Sequence, residues 1–280
     1  MKIGFTKMQG CGNDYVYING FKEKLPQDAK KDFVIRVSDR HFGIGSDGVI
    51  FINPSDIADF EMEMYNADGS RAEMCGNGIR CVAKYVYDHG MTEGTDITIA
   101  SFDKVKPITI TARDGKAERI RVDMGEPVLD AASVPVSIKN EKAIDEPINI
   151  DGNEYRMTCV SMGNPHAVVF TDPDGLDIER LGPLFEDHAL FPNRTNTEFV
   201  RVDDRNNVHM RVWERGTGET LACGTGCCAT AVACVLNGLT DRKVTVHVLG
   251  GDIEVEWDQN DGHIYMTGPA ETVFEGTIDA

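Results

Sequence analysis

Hydrophobic and polar positions along the chain repeat mostly with the period of a strand. In the first half VYIN, DGVIFI, FEMEMYN, DITIAS, ITITARD and RIRVDMG either alternate or are wholly apolar. In the second half HAVVF, TEFVRVD, HMRVWE, KVTVHVLGG and DIEVEWD do the same, and Gly, Pro, Asn and Asp bound these runs. Helical spacing is scarcer. It predicts a helix over Asp28–Ser38 and short helical stretches at Gly182–Glu186 and around Ala143. Two segments carry it more clearly. After Cys75, GNGIRCVAKYVYDHG places Ile79, Val82, Ala83 and Val86 at i, i+3, i+4 and i+7. After Cys223, GTGCCATAVACVLNG places Cys228, Ala231, Val232 and Val235 at the same spacing. Gly90 and Gly238 then stand where a helix C-cap glycine belongs.

Each of these glycines follows its cysteine by 15 positions, and the two cysteines lie 148 apart. At that offset EMEMYNADGSRAEMCGNG falls on MRVWERGTGETLACGTG, with Asn66 opposite Glu214 and Ala67 opposite Arg215. Upstream, Gly12-Asn13 before DYVYI is echoed by Gly163-Asn164 before PHAVV, at an offset of 151. The chain therefore reads as two copies of one strand-rich unit, each with a long helix. The fold class expected is α/β in the α+β sense: two pseudo-symmetric domains, 1–126 and 127–268. No low-complexity linker marks the boundary near Glu126–Pro135, so the halves are expected to pack closely.

Composition narrows the function. With 46 Asp+Glu against 28 Lys+Arg the net charge is −18, which argues against nucleic acid and against an anionic membrane surface. The N-terminal stretch MKIGFTKMQGCGNDY has no apolar signal core, and no run is long enough for a membrane helix. A cytoplasmic protein with reduced cysteines is expected. Of the eight cysteines, Cys11, Cys81, Cys159, Cys227, Cys228 and Cys234 read as core filler.

Cys75-Gly76-Asn77-Gly78 and Cys223-Gly224-Thr225-Gly226 read differently. Each puts a thiol at the mouth of a helix, where unbonded N–H groups and a partial positive charge bind anions and favour thiolate. One such motif is most simply a tight turn. Two at matched repeat positions suggest a pair: one thiolate removes a proton from carbon, and an opposing thiol returns one to the other face. The helix ends would hold the substrate carboxylate and the charge that builds on it. This chemistry calls for no cofactor, and no convincing motif for a cofactor or metal is present.

The blocks FTKMQGCGNDYVYIN, RHFGIGSDG, YNADGSRAEMCGNGIRC, SMGNPHAVVF, RTNTEF, ERGTGETLACGTG and YMTGPA together resemble the diaminopimelate epimerases over essentially the whole length. The resemblance implies pyridoxal-phosphate-independent interconversion of LL- and meso-diaminopimelate, in lysine and peptidoglycan precursor synthesis. It also implies a pair of similar domains with the site in the cleft, a terminal segment 269–280 returning to the first domain, and a homodimer. Carried over by motif, Cys75 and Cys223 are the acid/base pair, and backbone N–H groups around Gly76-Asn77 and Gly224-Thr225 grip the reacting carboxylate. Glu214 takes the reacting ammonium. Arg215, Asn66, Asn164, Asn196 and Asn13 hold the substrate, chiefly its distal end. His166 and Glu214 tune the thiols. One departure is Gly48, where some members carry a Gln.

Rival readings are weaker. A proline or hydroxyproline racemase of the same fold also pairs Cys-Gly motifs, but usually carries His where this chain has Asn77. Phenazine-pathway isomerases of this fold lack the thiol pair. A cysteine hydrolase would need one thiol with His166, and an amino-acid-binding module neither. Gly43-Ile-Gly45-Ser-Asp-Gly48 fits a dinucleotide-binding fingerprint but precedes a strand instead of following one. The spacing of Cys223, Cys227, Cys228 and Cys234 suits no usual zinc site. Asn193-Arg-Thr195 is a glycosylation triplet without a compartment to use it.

Overall fold

The computed structural model describes residues 2–279 apart from Glu73. It divides into two compact units, Met1–Val122 with Gly268–Ala280, and Asp123–Thr267. The first begins with β1 (Lys2–Gly10), β2 (Asn13–Asn19), α1 (Gln27–Ser38), β3 (Gly48–Asn53) and β4 (Phe60–Asn66). It continues with β5 (Arg71–Ala72), α2 (Gly76–Asp88), β6 (Asp96–Ser101), β7 (Lys104–Arg113) and β8 (Lys116–Gly125), which runs across the boundary. The second holds β9 (Glu146–Ile150), β10 (Asn153–Ser161), β11 (Pro165–Phe170), α3 (Ile178–Glu186), β12 (Asn196–Val202) and β13 (Asn207–Glu214). After these come β14 (Gly218–Thr220), α4 (Gly224–Leu236), β15 (Lys243–Val248), β16 (Gly251–Trp257) and β17 (Ile264–Gly268). The last strand, β18 (Glu271–Asp279), belongs to the first unit and pairs antiparallel with β1.

The repeat read from the sequence holds pairing by pairing. β1–β2 is antiparallel, β2–β3 parallel, β3–β4 antiparallel, β4–β6 parallel and β6–β7 antiparallel. β10–β11, β11–β12, β12–β13, β13–β15 and β15–β16 repeat that series. The outermost partner differs in origin. β10 pairs with β9, which directly precedes it, whereas β1 takes β18 from the far end of the chain. Within each unit the second helix touches strands from both flanks of the sheet: β1, β2, β6 and β7 around α2, and β10, β11, β12, β15 and β16 around α4. The sheet therefore curls about a central helix. α1 and α3 pack on its outer side, where Phe33, Val34 and Val37 join Val16, Ile18 and Val49, and Leu181 and Phe185 join Val169 and Phe199.

A central helix needs more than an apolar stripe. Ile79, Val82, Ala83 and Val86 are fully buried, but so are Arg80 and Cys81 on other faces of α2. α4 is buried from Gly226 to Cys234 almost without interruption, except that Thr225 before it and Val235 after it are part-exposed. A helix apolar all round belongs in a core. Both helices stop at a left-handed glycine, Gly90 at φ 64° and Gly238 at φ 68°, with the following N–H returning to the helix: Met91 to Val86 and Leu239 to Cys234.

Some expectations shift. The helix at Gly182–Glu186 starts earlier, at Ile178, capped by Asp177; Pro183 lies inside it without ending it. No helix forms around Ala143. That segment is an irregular stretch of bends, and the Ala143 carbonyl takes the N–H of Cys159. Gly43–Gly48 follows α1 and leads into β3, the reverse of the order a dinucleotide fingerprint requires. Gly48 itself is closely enclosed: a Cβ there would lie 2.0 Å from the Tyr65 carbonyl oxygen and 2.9 Å from the Tyr15 ring. Gly48→Ala is expected to destabilise the protein by about 2 kcal/mol, since the obstacle is backbone. Urea unfolding measures this, and a loss under about 0.5 kcal/mol would mean that β3 relaxes freely.

Candidate active site

The two thiols are held alike. Cys75 and Cys223 are N-caps of α2 and α4 with extended backbones, φ −136° and −112°. Each sulfur accepts the N–H of the residue three further on, from Gly78 at 3.2 Å and from Gly226 at 3.4 Å. Each cap carbonyl accepts the next N–H, from Ile79 and Cys227. The second glycine of each motif has a packing reason. A Cβ at Gly78 would lie 2.8 Å from Ile50 Cδ1, and a Cβ at Gly226 would lie 2.7 Å from Glu198 Oε1. The strand beneath the helix start leaves room only for hydrogen. Gly76-Asn77 and Gly224-Thr225 form the first turn of each helix.

In the first unit, strand ends gather beside Cys75. Tyr15 of β2 pairs with Gly48 of β3, and Gly48 with Asn66 of β4. Asn13, two residues before Tyr15, gives its amide N–H to Asp47 at 2.7 Å, which leaves its carbonyl oxygen 3.1 Å from Cys75 Sγ as acceptor of the thiol. Arg40 braces Asp47 at 2.8 Å. Asn77 is 3% exposed, and its carbonyl accepts from Arg80 at 3.0 Å. The guanidinium of Arg80, wholly buried, also donates to the carbonyls of Gly76 and Pro269. Asn66 stands apart from this cluster and closes its own turn, donating to Ser70 Oγ. Glu73, the acidic residue of the first block, lies outside the described residues.

In the second unit, the equivalent strand ends carry different chemistry. His166 of β11 pairs with Asn196 of β12, and Glu214 ends β13. Cys223 is 5% exposed. Burial pushes its thiol well up, and the Glu214 and Glu198 carboxylates push it further, against the opposing bonds from Thr225 and Gly226. Glu214 is also raised by burial, opposed by hydrogen bonds from Thr220 and the Cys223 thiol. Asn196 donates to the Pro165 carbonyl and accepts the N–H of Arg215 at 2.9 Å, tying that turn to β12. Arg215 is exposed, with its guanidinium on the Asn193 carbonyl. His166 and Glu198, both 0% exposed, meet at 2.6 Å through Nδ1 and Oε1, and His166 Nε2 stands 3.0 Å from Asn164 Oδ1.

Most of the residues singled out in the sequence thus gather near one thiol or the other. Four that support them were not singled out: Asp47, Arg80 and Glu198, which lie inside the quoted blocks without a role of their own, and Glu186, which lies in none. Glu186 accepts from Arg194, from Trp213 Nε1 and from the Gly216 N–H, and so steadies the Arg215 turn. The clearest signal was Glu198, a lone carboxylate inside the β-run TEFVRV. Among the described residues no group of three or more His, Cys, Asp or Glu side chains is arranged to hold a metal, and no helix is long and apolar enough to cross a membrane.

Both shifts at Cys223 have a consequence for stability. A thiol or carboxyl raised in the folded state favours the neutral form there. Its contribution is complete below the unfolded value and is lost as pH climbs through the folded one. For Cys223 the loss begins above the ordinary thiol value of 9.0. Buried Cys81 and Cys234, each pushed up to about 12, add to it. Unfolding free energy is expected to fall with pH in alkali, and less steeply in Cys223→Ala. Urea titrations across pH measure the slope; an unchanged slope would mean that this thiol ionises as freely folded as unfolded.

The diaminopimelate epimerase family model matches residues 5–129 and 158–273. A diaminopimelate epimerase of Agathobacter rectalis is 58% identical, over 98% of this chain and 99% of the relative. One of Acetivibrio thermocellus is 55% identical over 98% of each. Among solved structures, a probable proline racemase of Agrobacterium radiobacter superposes with a TM-score of 0.72 over 99% of this chain and 92% of that one. At 16% identity that likeness speaks to the fold.

Proposed function

The chain belongs to the diaminopimelate epimerase family, and we propose that Cys75 and Cys223 are the acid/base pair with which it interconverts LL- and meso-diaminopimelate. The reaction is an isomerisation that needs no pyridoxal phosphate and serves lysine and peptidoglycan precursor supply. The observation that carries the assignment of the pair is the matched placement of the two thiols. Each caps a helix, holds the same N–H through its sulfur, and stands at the same position of a repeated unit.

In this reading one thiolate takes the α-proton and the other thiol delivers one to the opposite face. Negative charge moves onto the α-carboxylate, where the helix N–H groups around Gly76-Asn77 and Gly224-Thr225 already stand. Glu214 receives the reacting ammonium; Arg215 receives the distal carboxylate, with Asn13, Asn66, Asn164 and Asn196 around the rest. His166 and Glu214 set the proton affinity of the thiols. Gly48 brings no side chain, so a contact supplied by Gln in some members is missing here. The enzyme is proposed to work as a cytoplasmic homodimer. Exposed Val273 and Phe274 on β18 offer an apolar strip for such an interface.

Cys75→Ser and Cys223→Ser are each expected to lower epimerisation of LL-diaminopimelate by a hundredfold or more, roughly the worth of one positioned acid or base. Chiral chromatography of the product reads this out. Near-normal turnover by either variant would remove that thiol from the mechanism. Wild-type turnover of proline in place of diaminopimelate would move the chain's activity to the racemases.

A further inference from the structure

Among the described residues, the buried pair behind Cys223 has no counterpart behind Cys75. Where Glu198 lies against the start of α4, Ile50 occupies the same place against α2. β11 and β12 bring Glu198 opposite Val168 and Asn196 opposite His166, so the carboxyl reaches His166 along the strand. Glu198 and His166 are 0% exposed. Glu198 Oε1 meets His166 Nδ1 at 2.6 Å, and Glu198 Oε2 finds no hydrogen-bond partner among the described residues. Charged or titratable neighbours are Glu214, which feels both His166 and Glu198, and Cys159 and Cys223, which feel Glu198.

A carboxylate sealed from water with one bare oxygen is costly unless a cation balances it. A single negative charge on the pair would require ionised Glu198 beside neutral His166 with its hydrogen on Nδ1. A neutral pair with a proton on Oε2 would bury a donor that has no partner, which leaves two arrangements, ionised Glu198 with doubly protonated His166, or neutral Glu198 donating to Nδ1. In both, the proton between the two residues is shared along Oε1–Nδ1, and Nε2 carries a hydrogen of its own. Nε2 faces Asn164 Oδ1 at 3.0 Å, the contact that a donating Nε2 makes. The Asn164 amide then has its carbonyl turned inward and its NH2 left for a substrate carboxylate.

We propose that Glu198 is a positioning residue, which through His166 fixes the Asn164 amide so that it presents a donor to the substrate. It touches no substrate itself. The proposal rests on the reading above in one respect, that Asn164 borders bound diaminopimelate. In Glu198→Gln the side chain keeps its shape but brings no acidic proton. Its amide can accept from Nδ1–H as well as donate to Nδ1, so Nε2 is no longer obliged to carry a hydrogen and the Asn164 amide is no longer held one way.

The test has two arms. The first is ¹⁵N NMR of His166 in the substrate-free wild-type enzyme, where Nε2 is expected to be protonated and pyrrole-like. A bare, pyridine-like Nε2 overturns the proposal whatever the variant does. The second is steady-state kinetics of Glu198→Gln. KM for diaminopimelate is expected to rise roughly tenfold to a hundredfold, the worth of one hydrogen bond to a charged group. Unchanged KM in a variant with a wild-type melting temperature also overturns it. Absence of diaminopimelate turnover by the wild type would instead defeat the functional reading and leave the NMR result standing.

Discussion

A helix cannot begin without leaving its first N–H groups unbonded, and in this protein each unit meets that requirement with a cysteine sulfur. The contacts from Gly78 and Gly226, 3.2 and 3.4 Å from the two sulfurs, locate each thiol relative to a rigid, buried helix. The same geometry keeps the neighbouring N–H groups pointed outward, where an anion can use them. Much of the surrounding structure follows from keeping that arrangement tight. The glycine at the third helical position lets a strand pass directly beneath. Curling the sheet about the helix buries it on every side. The left-handed glycines Gly90 and Gly238 end each helix within its own unit. Cys-Gly-x-Gly is thus a packing solution as much as a chemical signature.

The two copies diverge in what surrounds the sulfur. In the first unit the row Tyr15, Gly48 and Asn66 is neutral, and Cys75 leans on the carbonyl of Asn13. In the second, the matching row is His166, Asn196 and Glu214, with Glu198 underneath. One scaffold therefore holds the two thiols among different described neighbours. Burial and the flanking Glu214 and Glu198 carboxylates favour the protonated form of the Cys223 thiol.

The strands legible in the sequence were those with a buried face and a polar one, or with both faces buried, such as GVIFI of β3 and the alternating HMRVWE of β13. The repeat was legible because the two cysteines and the two closing glycines keep equal spacing. β9 and β17 alternate and still escaped notice, being only five residues each; other strands that escaped notice had no such contrast. β18 is exposed along nearly its whole length, β10 turns from exposed to buried midway, and β5 and β14 are too short to show a period. The site showed the same division. The cysteines and their glycines stood out, whereas Asp47, Glu186 and Glu198 act chiefly through partners distant in sequence, which spacing alone cannot display. The helix expected around Ala143 does not form; the backbone there is irregular and hydrogen-bonds to β10.

The central claim is that two different groups handle the proton on the two faces of one carbon. The first turnovers of LL-diaminopimelate in D₂O test it directly. With two thiols, the acid that supplies the product has already exchanged with solvent. Early meso product is then fully deuterated at one α-carbon, while the substrate still remaining carries only protium. A single group serving both faces would return part of the original hydrogen, and early product retaining protium at the inverted carbon would contradict the account.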